Sequence, residues 1–335
     1  MLRVAAAWLI VALLALAPAA AQSPQPTDSI RAVEVRAQPI ASFNLRDGAL
    51  TRFGSLEFRG GLILTSPDKA FGGLSSLHIS ADGRHFISAS DRGQWLRGDI
   101  RYDGTRPAGI VNAEMAPMLA GNGKPLTKRG WYDTESMTMN GGTIYVGIER
   151  VNRIVRFDYG KRGLKARAVP IAVPAGVSKL PNNKGLEALV FVPRGRPLGG
   201  TLIAFGERGL DAAGNHTAFL IGGPQPGTFA LKRYQDFDIS DATLLPNNDV
   251  LLLERRFNWV QGIAVRIRRI ALAQIKPGAV LDGPVVLSAD MGDQIDNMEG
   301  IAAHKSGGDT ILTLVSDDNF SPIQRTLLLQ FKLVE

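Results

Sequence analysis

Short apolar runs alternate with turn residues along most of the chain. Thr143–Ile148, Ile154–Tyr159, Leu186–Val192, Thr201–Phe205, Val250–Leu253, Val285–Leu287, Ile311–Val315 and Thr326–Leu333 are examples, rich in Val, Ile, Leu, Phe or Tyr and bounded by Gly, Pro, Asn or Asp. That combination predicts β-strands. Helical periodicity is almost absent. The best helix candidate is Ile270–Lys276, which stops at Pro277-Gly278. Nothing alternates strand with helix, so a doubly wound sheet or an α/β barrel is not expected.

The strands repeat. Five times a small or acidic residue opens an apolar strand, and a charged cluster closes the following one. The openers are Ser75, Glu135, Glu187, Asp241 and Glu299, spaced 52 to 60 residues apart. The matching closers are Asp91-Arg92, Glu149-Arg150, Glu207-Arg208, Glu254-Arg255 and Asp317-Asp318. A strand-built period of this length predicts an all-β β-propeller, one four-stranded blade per repeat. Each blade has two apolar faces and must stack on neighbours to bury them. The residues outside the four full periods suffice for a fifth blade and a slim sixth shared by both termini. Six blades are therefore favoured, with the ring closed by N- and C-terminal strands, and five is the alternative.

The first residues read separately. Arg3 precedes an uncharged apolar run from Val4 to Ala21 that ends Ala19-Ala20-Ala21. A basic start, an apolar stretch of about 14 residues and a small-residue end predict a signal peptide over 1–21. A membrane span needs about 20 apolar residues. Residues 22–38 read as a polar tether and 39–335 as one propeller domain. The protein is then expected to be periplasmic or secreted, with no membrane span after cleavage.

The chain has 335 residues, 38 Lys+Arg, 31 Asp+Glu, 37 Gly, 19 Pro and no Cys. The missing Cys excludes disulfides, a thiol nucleophile and Cys-ligated metal. The net charge of +7 falls by one when Arg3 leaves with the leader. No basic, aromatic-interleaved element or phosphate-cradling Gly loop accompanies it, so no nucleic-acid partner is expected. Arg266 and Arg268 alternate with apolar residues and are expected on a solvated blade face. There is no Gly-x-Ser-x-Gly elbow, and His78, His85, His216 and His304 lack metal-ligand spacing.

Ring closure would crowd the repeated acids around one axis. Glu135, Glu187, Asp241 and Glu299 would form one ring, and Asp91, Glu149, Glu207, Glu254, Asp317 and Asp318 a second. Carboxylates so crowded must be neutralised by Arg, by protons or by a cation. One reading is a set of Glu–Arg ties between blades. The other is a site of hard oxygen ligands for a cation, with Arg forks for an anionic substrate.

The strings Gly72-Gly73-Leu74-Ser75-Ser76-Leu77, Ser90-Asp91-Arg92-Gly93, Asp133-Thr134-Glu135, Asn183-Lys184-Gly185-Leu186-Glu187, Leu252-Leu253-Glu254-Arg255, Asn297-Met298-Glu299-Gly300-Ile301 and Ser316-Asp317-Asp318-Asn319 resemble, in order and spacing, the phytase-like domain family. The resemblance covers about residues 55–333. It implies a β-propeller, export from a bacterial cell, esterase-like activity and Ca²⁺, because the family is named for calcium-using propeller phytases. The sequence departs from the family's commoner forms at Ser76 and Ala188, where Gly is usual.

Two functions of different class follow. The first is an exported hydrolase of phosphoester or related ester bonds with a channel-bound cation. Glu135, Glu187 and Glu299 are then the catalytic candidates. The metal candidates are Asp133, Glu135, Glu187, Asp241, Glu299, Asp317 and Asp318. Arg92, Arg150, Lys184, Arg208 and Arg255 are the candidates for holding a small anionic or ester substrate. The second is a non-catalytic periplasmic binding or scaffold propeller. A metal-dependent lactonase-like enzyme is a variant of the first.

Overall fold

In the computed structural model, residues 29–182 and 184–334 are described. The expected signal peptide, residues 22–28 of the expected tether and Asn183 lie outside them. The remaining apolar runs are strands close to where their composition ends. Thr143–Ile148 and Thr326–Leu333 match residue for residue. The helix expected over 270–276 does not form. That stretch finishes the strand Gly262–Ala271 and makes one 3₁₀ turn, Leu272–Gln274.

The strands build five sheets. Their inner strands are Leu74–Ile79, Thr134–Asn140, Leu186–Phe191, Asp238–Leu244 and Asn297–Ser306. Each touches the next, and the last touches the first, so the five blades close a ring. The fold is a five-bladed β-propeller, not a six-bladed one. Among the described residues none remain for a sixth blade shared by both termini, and that expected closure is not seen: contacts between the five inner strands close the ring, and the terminal strands join the fifth blade. Leu56–Thr65 pairs with Thr326–Leu333 and Arg36–Ile40 adds outside it. Within the stretch expected as a tether, Arg31–Ala32 also pairs, with the outer strand of blade one. These edge pairings satisfy backbone groups that exposed sheet edges would leave open.

The core follows the same plan. Five apolar clusters occur among the described residues, and each spans the junction of two blades. Phe43, Phe58 and Phe331 of blade five meet Leu251, Leu253 and Ile267 of blade four in one of them. Trp95 of blade one meets Phe157 of blade two edge-on at 5.1 Å in another. Such faces are buried only when the neighbour is present, so the ring is the smallest unit with a complete core.

Arg266 and Arg268 correct the expectation of a solvated face. They do share one strand face, but the 232–237 loop covers it with Tyr234 and Phe237. Both arginines are buried, and both grip Glu254, which is completely inaccessible. Arg268 reaches Glu254 with two N–H groups at 2.5 and 2.9 Å, and Arg266 Nε donates to the same carboxylate. Phe237 lies under Arg266 at 4.3 Å. Strand alternation identifies a shared face, but not what covers it.

Candidate functional site

All five inner strands start at one mouth of the central channel, and each carries a β-bulge near that start. The bulge residues are Ser75, Glu135, Glu187, Ser240 and Glu299. An extra residue at a bulge re-aims the side chains around it. In blades two, three and five the bulge residue is Glu, and it faces the channel cavity. In blades one and four it is Ser, which ties to the following blade. Ser75 Oγ donates to the Thr134 carbonyl at 2.5 Å, and Ser240 Oγ to the Met298 carbonyl at 2.9 Å. Replacing Ser240 by Ala should cost about 1 kcal/mol, read from urea unfolding. No loss at all would show that the tie is not needed.

The second strand of each blade returns to the same mouth. Asp91, Glu149, Glu207, Arg255 and Asp317 stand there as equivalents, each following the residue paired just before the bulge. Blade four therefore sits one residue away from the alignment read in the sequence. Ser240 and Arg255 occupy the positions assigned to Asp241 and Glu254. A shift of one residue sends a side chain to the other face. Asp241 is accordingly buried outside the cavity, where it accepts the Ile301 N–H at 2.8 Å. Burial holds its carboxyl well above the usual carboxylate range, against the pull of the Ile301 and Ala242 N–H groups. Glu254 faces Arg266 and Arg268.

The cavity at this mouth holds about 470 Å³. Eight carboxylates and two cations line it among the described residues. The carboxylates are the acids at bulge and return positions together with Asp133. The cations are Lys184, 3.4 Å from Glu207, and Arg255, 3.1 Å from Glu299. The opposite mouth, toward the far ends of the same strands, has no acidic lining residue among those described and is lined in part by Leu77, Met137, Val190, Leu244 and Ile301, each from a different blade.

Burial, and then crowding, raises the pKa values of several of these acids. Asp91 is pushed up to about 7 by burial and then by the Asp317 charge. Asp317 is pushed up to about 7 by burial and then by Glu299. Glu187 is held well above the ordinary range by burial, and then by Glu207 and Glu135. Glu135 is raised likewise by burial, then by Glu299 and Asp91. Glu149 is raised by burial, opposed by the Gly185 N–H, which donates to it at 2.7 Å, and by a hydrogen bond with Glu187.

Glu149, Glu187 and Glu207 bring ligand oxygens within 4.8 Å of one another. Three buried oxygen donors at this spacing fit a hard divalent cation. Bound charge would also relieve the repulsion that helps to raise the pKa values of Glu149 and Glu187.

Other expected site residues lie off the cavity wall. Asp318 accepts the Gly73 N–H and the Thr326 hydroxyl, both at 2.9 Å, and so shapes a turn. Arg92 stacks on Phe320 at 3.3 Å, Arg150 lies over Tyr132, and Arg208 pairs with Asp238 at 2.9 Å. Asn297 was not foreseen. It accepts from Arg255 at 2.6 Å and donates to Glu299 at 2.8 Å, joining the two. Its place two residues before Glu299, like Asp133 before Glu135, was the available signal. Phe257 and Ile263, cross-strand partners in one hairpin, complete part of the wall.

Residues 69–320 match the family model described as phytase-like, esterase-like activity of phytase. No match was found among curated proteins. Among solved structures, Myxococcus xanthus glutaminyl cyclase is similar at 13% identity and a TM-score of 0.42, covering 79% of this chain and 92% of that one. The WD40 domain of Toxoplasma gondii coronin is similar at 10% identity and a TM-score of 0.34, covering 91% and 87%. No helix among the described residues is long and apolar enough to cross a membrane.

Proposed function

We propose, from the premise that this chain belongs to the phytase-like family, that it is an exported hydrolase of phosphoester or related ester bonds. The acidic mouth of the propeller is its active site. The observation that carries this reading is the convergence of Glu149, Glu187 and Glu207 beside two cations in one cavity. These three residues would hold a divalent cation, Ca²⁺ by family resemblance. Such an ion supplies Lewis-acid polarisation and a more acidic water. Glu135, in the cavity wall with these three, takes the proton of the attacking water. Arg255 and Lys184 receive the anionic part of the substrate. Glu299 and Asn297 hold the Arg255 fork in place, and planar forks suit phosphate and carboxylate. Asp91, Asp133 and Asp317 add to the field that draws a cation in.

Hydrolysis of p-nitrophenyl phosphate, phytate and p-nitrophenyl acetate, each with Ca²⁺ and with chelator, tests this. Turnover should require the ion. Glu187→Gln should lower it by about 100-fold or more. Turnover of none of the three above the Glu187→Gln background would reject the hydrolase. The Lys184–Glu207 and Arg255–Glu299 pairs favour a second reading, a binding or scaffold propeller. Under it, Glu187→Gln would lower the melting temperature with no dependence on Ca²⁺.

A further inference from the structure

The hairpin between Asp249–Asn258 and Gly262–Ala271 reaches from the acidic cavity into solvent. Its base carries Arg255, bound to Glu299 inside the cavity. Two residues on, Phe257 lines the cavity wall opposite Ile263. Two further on stands Trp259, 94% exposed, beside Val260 at 95%. Phe257 and Trp259 pack edge to face at 5.2 Å. Met291 lies against Gly262 at the foot of the tip and is itself exposed. Strand alternation puts Arg255 and Phe257 on one face, so charge passes to aromatic surface along a single path out of the site.

Exposed apolar surface of this kind marks a binding face. Here it is continuous with the cavity, because Phe257 belongs to both. We propose that the hairpin seats the apolar part of the substrate, so that the preferred ester carries an acyl chain of medium length or an aryl group. The ester then lies in the acidic mouth and the apolar group on Phe257, Trp259 and Val260. This rests on the hydrolase reading for its ester and on the hairpin alone for its apolar group. An anionic bilayer is a poorer match, since the tip adjoins a cavity lined by eight carboxylates.

Tryptophan fluorescence tests the hairpin without any turnover. Trp95 and Trp131 are buried, so Trp259 supplies the accessible emission of the described residues. Octanamide, which an esterase does not cleave, should protect that emission from acrylamide where acetamide does not. Trp259→Phe should abolish the protected component. In the hydrolase, Trp259→Ala and Val260→Ser should raise KM for p-nitrophenyl octanoate relative to p-nitrophenyl acetate by about ten-fold, a difference that burying roughly two methylenes would give, while kcat for the octanoate stays within about two-fold. Protection without turnover of any ester would sustain the apolar subsite and sink the hydrolase. Turnover without protection, and with an unaltered KM ratio, would overturn the subsite. Protection by phosphatidylcholine vesicles but not by octanamide would also overturn it, in favour of a membrane-facing tip.

Discussion

Glu254→Ala should destabilise the protein by about 3–5 kcal/mol, the usual cost of removing one partner from a buried ion pair. The reason is geometric. Glu254 is completely buried between Arg266 and Arg268, which are themselves 5% and 1% exposed. Arg268 would keep Asp282, at 3.2 Å and near the surface, and the Tyr234 ring at 5.9 Å. Arg266 would keep the Phe237 ring, which offers far less than a carboxylate. Glu254→Gln preserves shape and one acceptor, and should fall between alanine and wild type. Urea unfolding midpoints at constant m give the comparison. An alanine variant within about 1 kcal/mol of wild type would mean the arginines reach water or another acid.

In the cation-free protein, the melting temperature should fall as pH rises from 5 to 8. An unfolded Asp loses its proton near 3.9. Asp91 and Asp317 keep theirs up to about 7 in the fold. Between those values the fold binds more protons than the unfolded chain, so stability decreases with pH. The contribution is complete below about pH 4 and is gone once pH passes well above 7. One carboxyl shifted by about three units corresponds to about 4 kcal/mol. Asp91→Asn should remove much of the slope, and saturating Ca²⁺ should flatten it by pairing with the ionised acids. A chelated protein whose melting temperature is level across this range would contradict the crowding described here.

The strands themselves were legible because alternation and turn residues are local properties. Thr143–Ile148 and Thr326–Leu333 required nothing from the rest of the chain. Repetition of the openers was enough to foresee a ring and an acidic axis, since identical units stacked in sequence must converge. Glu135, Glu187 and Glu299 do converge there. The number of blades was not legible. The terminal segments have enough length for a separate blade, and only pairing of Leu56–Thr65 with Thr326–Leu333 assigns them to the fifth.

Blade four shows the limit most clearly. Ser240-Asp241 and Glu254-Arg255 both offer an acid at or beside the expected position, and the acid is the natural choice in sequence. The bulge decides otherwise, placing Ser240 and Arg255 at the axis and turning both acids away. Sequence alone determined the strand pattern, the repeat and the acidic character of one channel mouth. Tertiary structure decided which side chain of each adjacent pair faces the channel, which arginines are covered and which hairpin leads out of the site. Those outcomes depend on registers and neighbours set by contacts between residues far apart in the chain, where a one-residue shift costs no composition yet exchanges inside for outside.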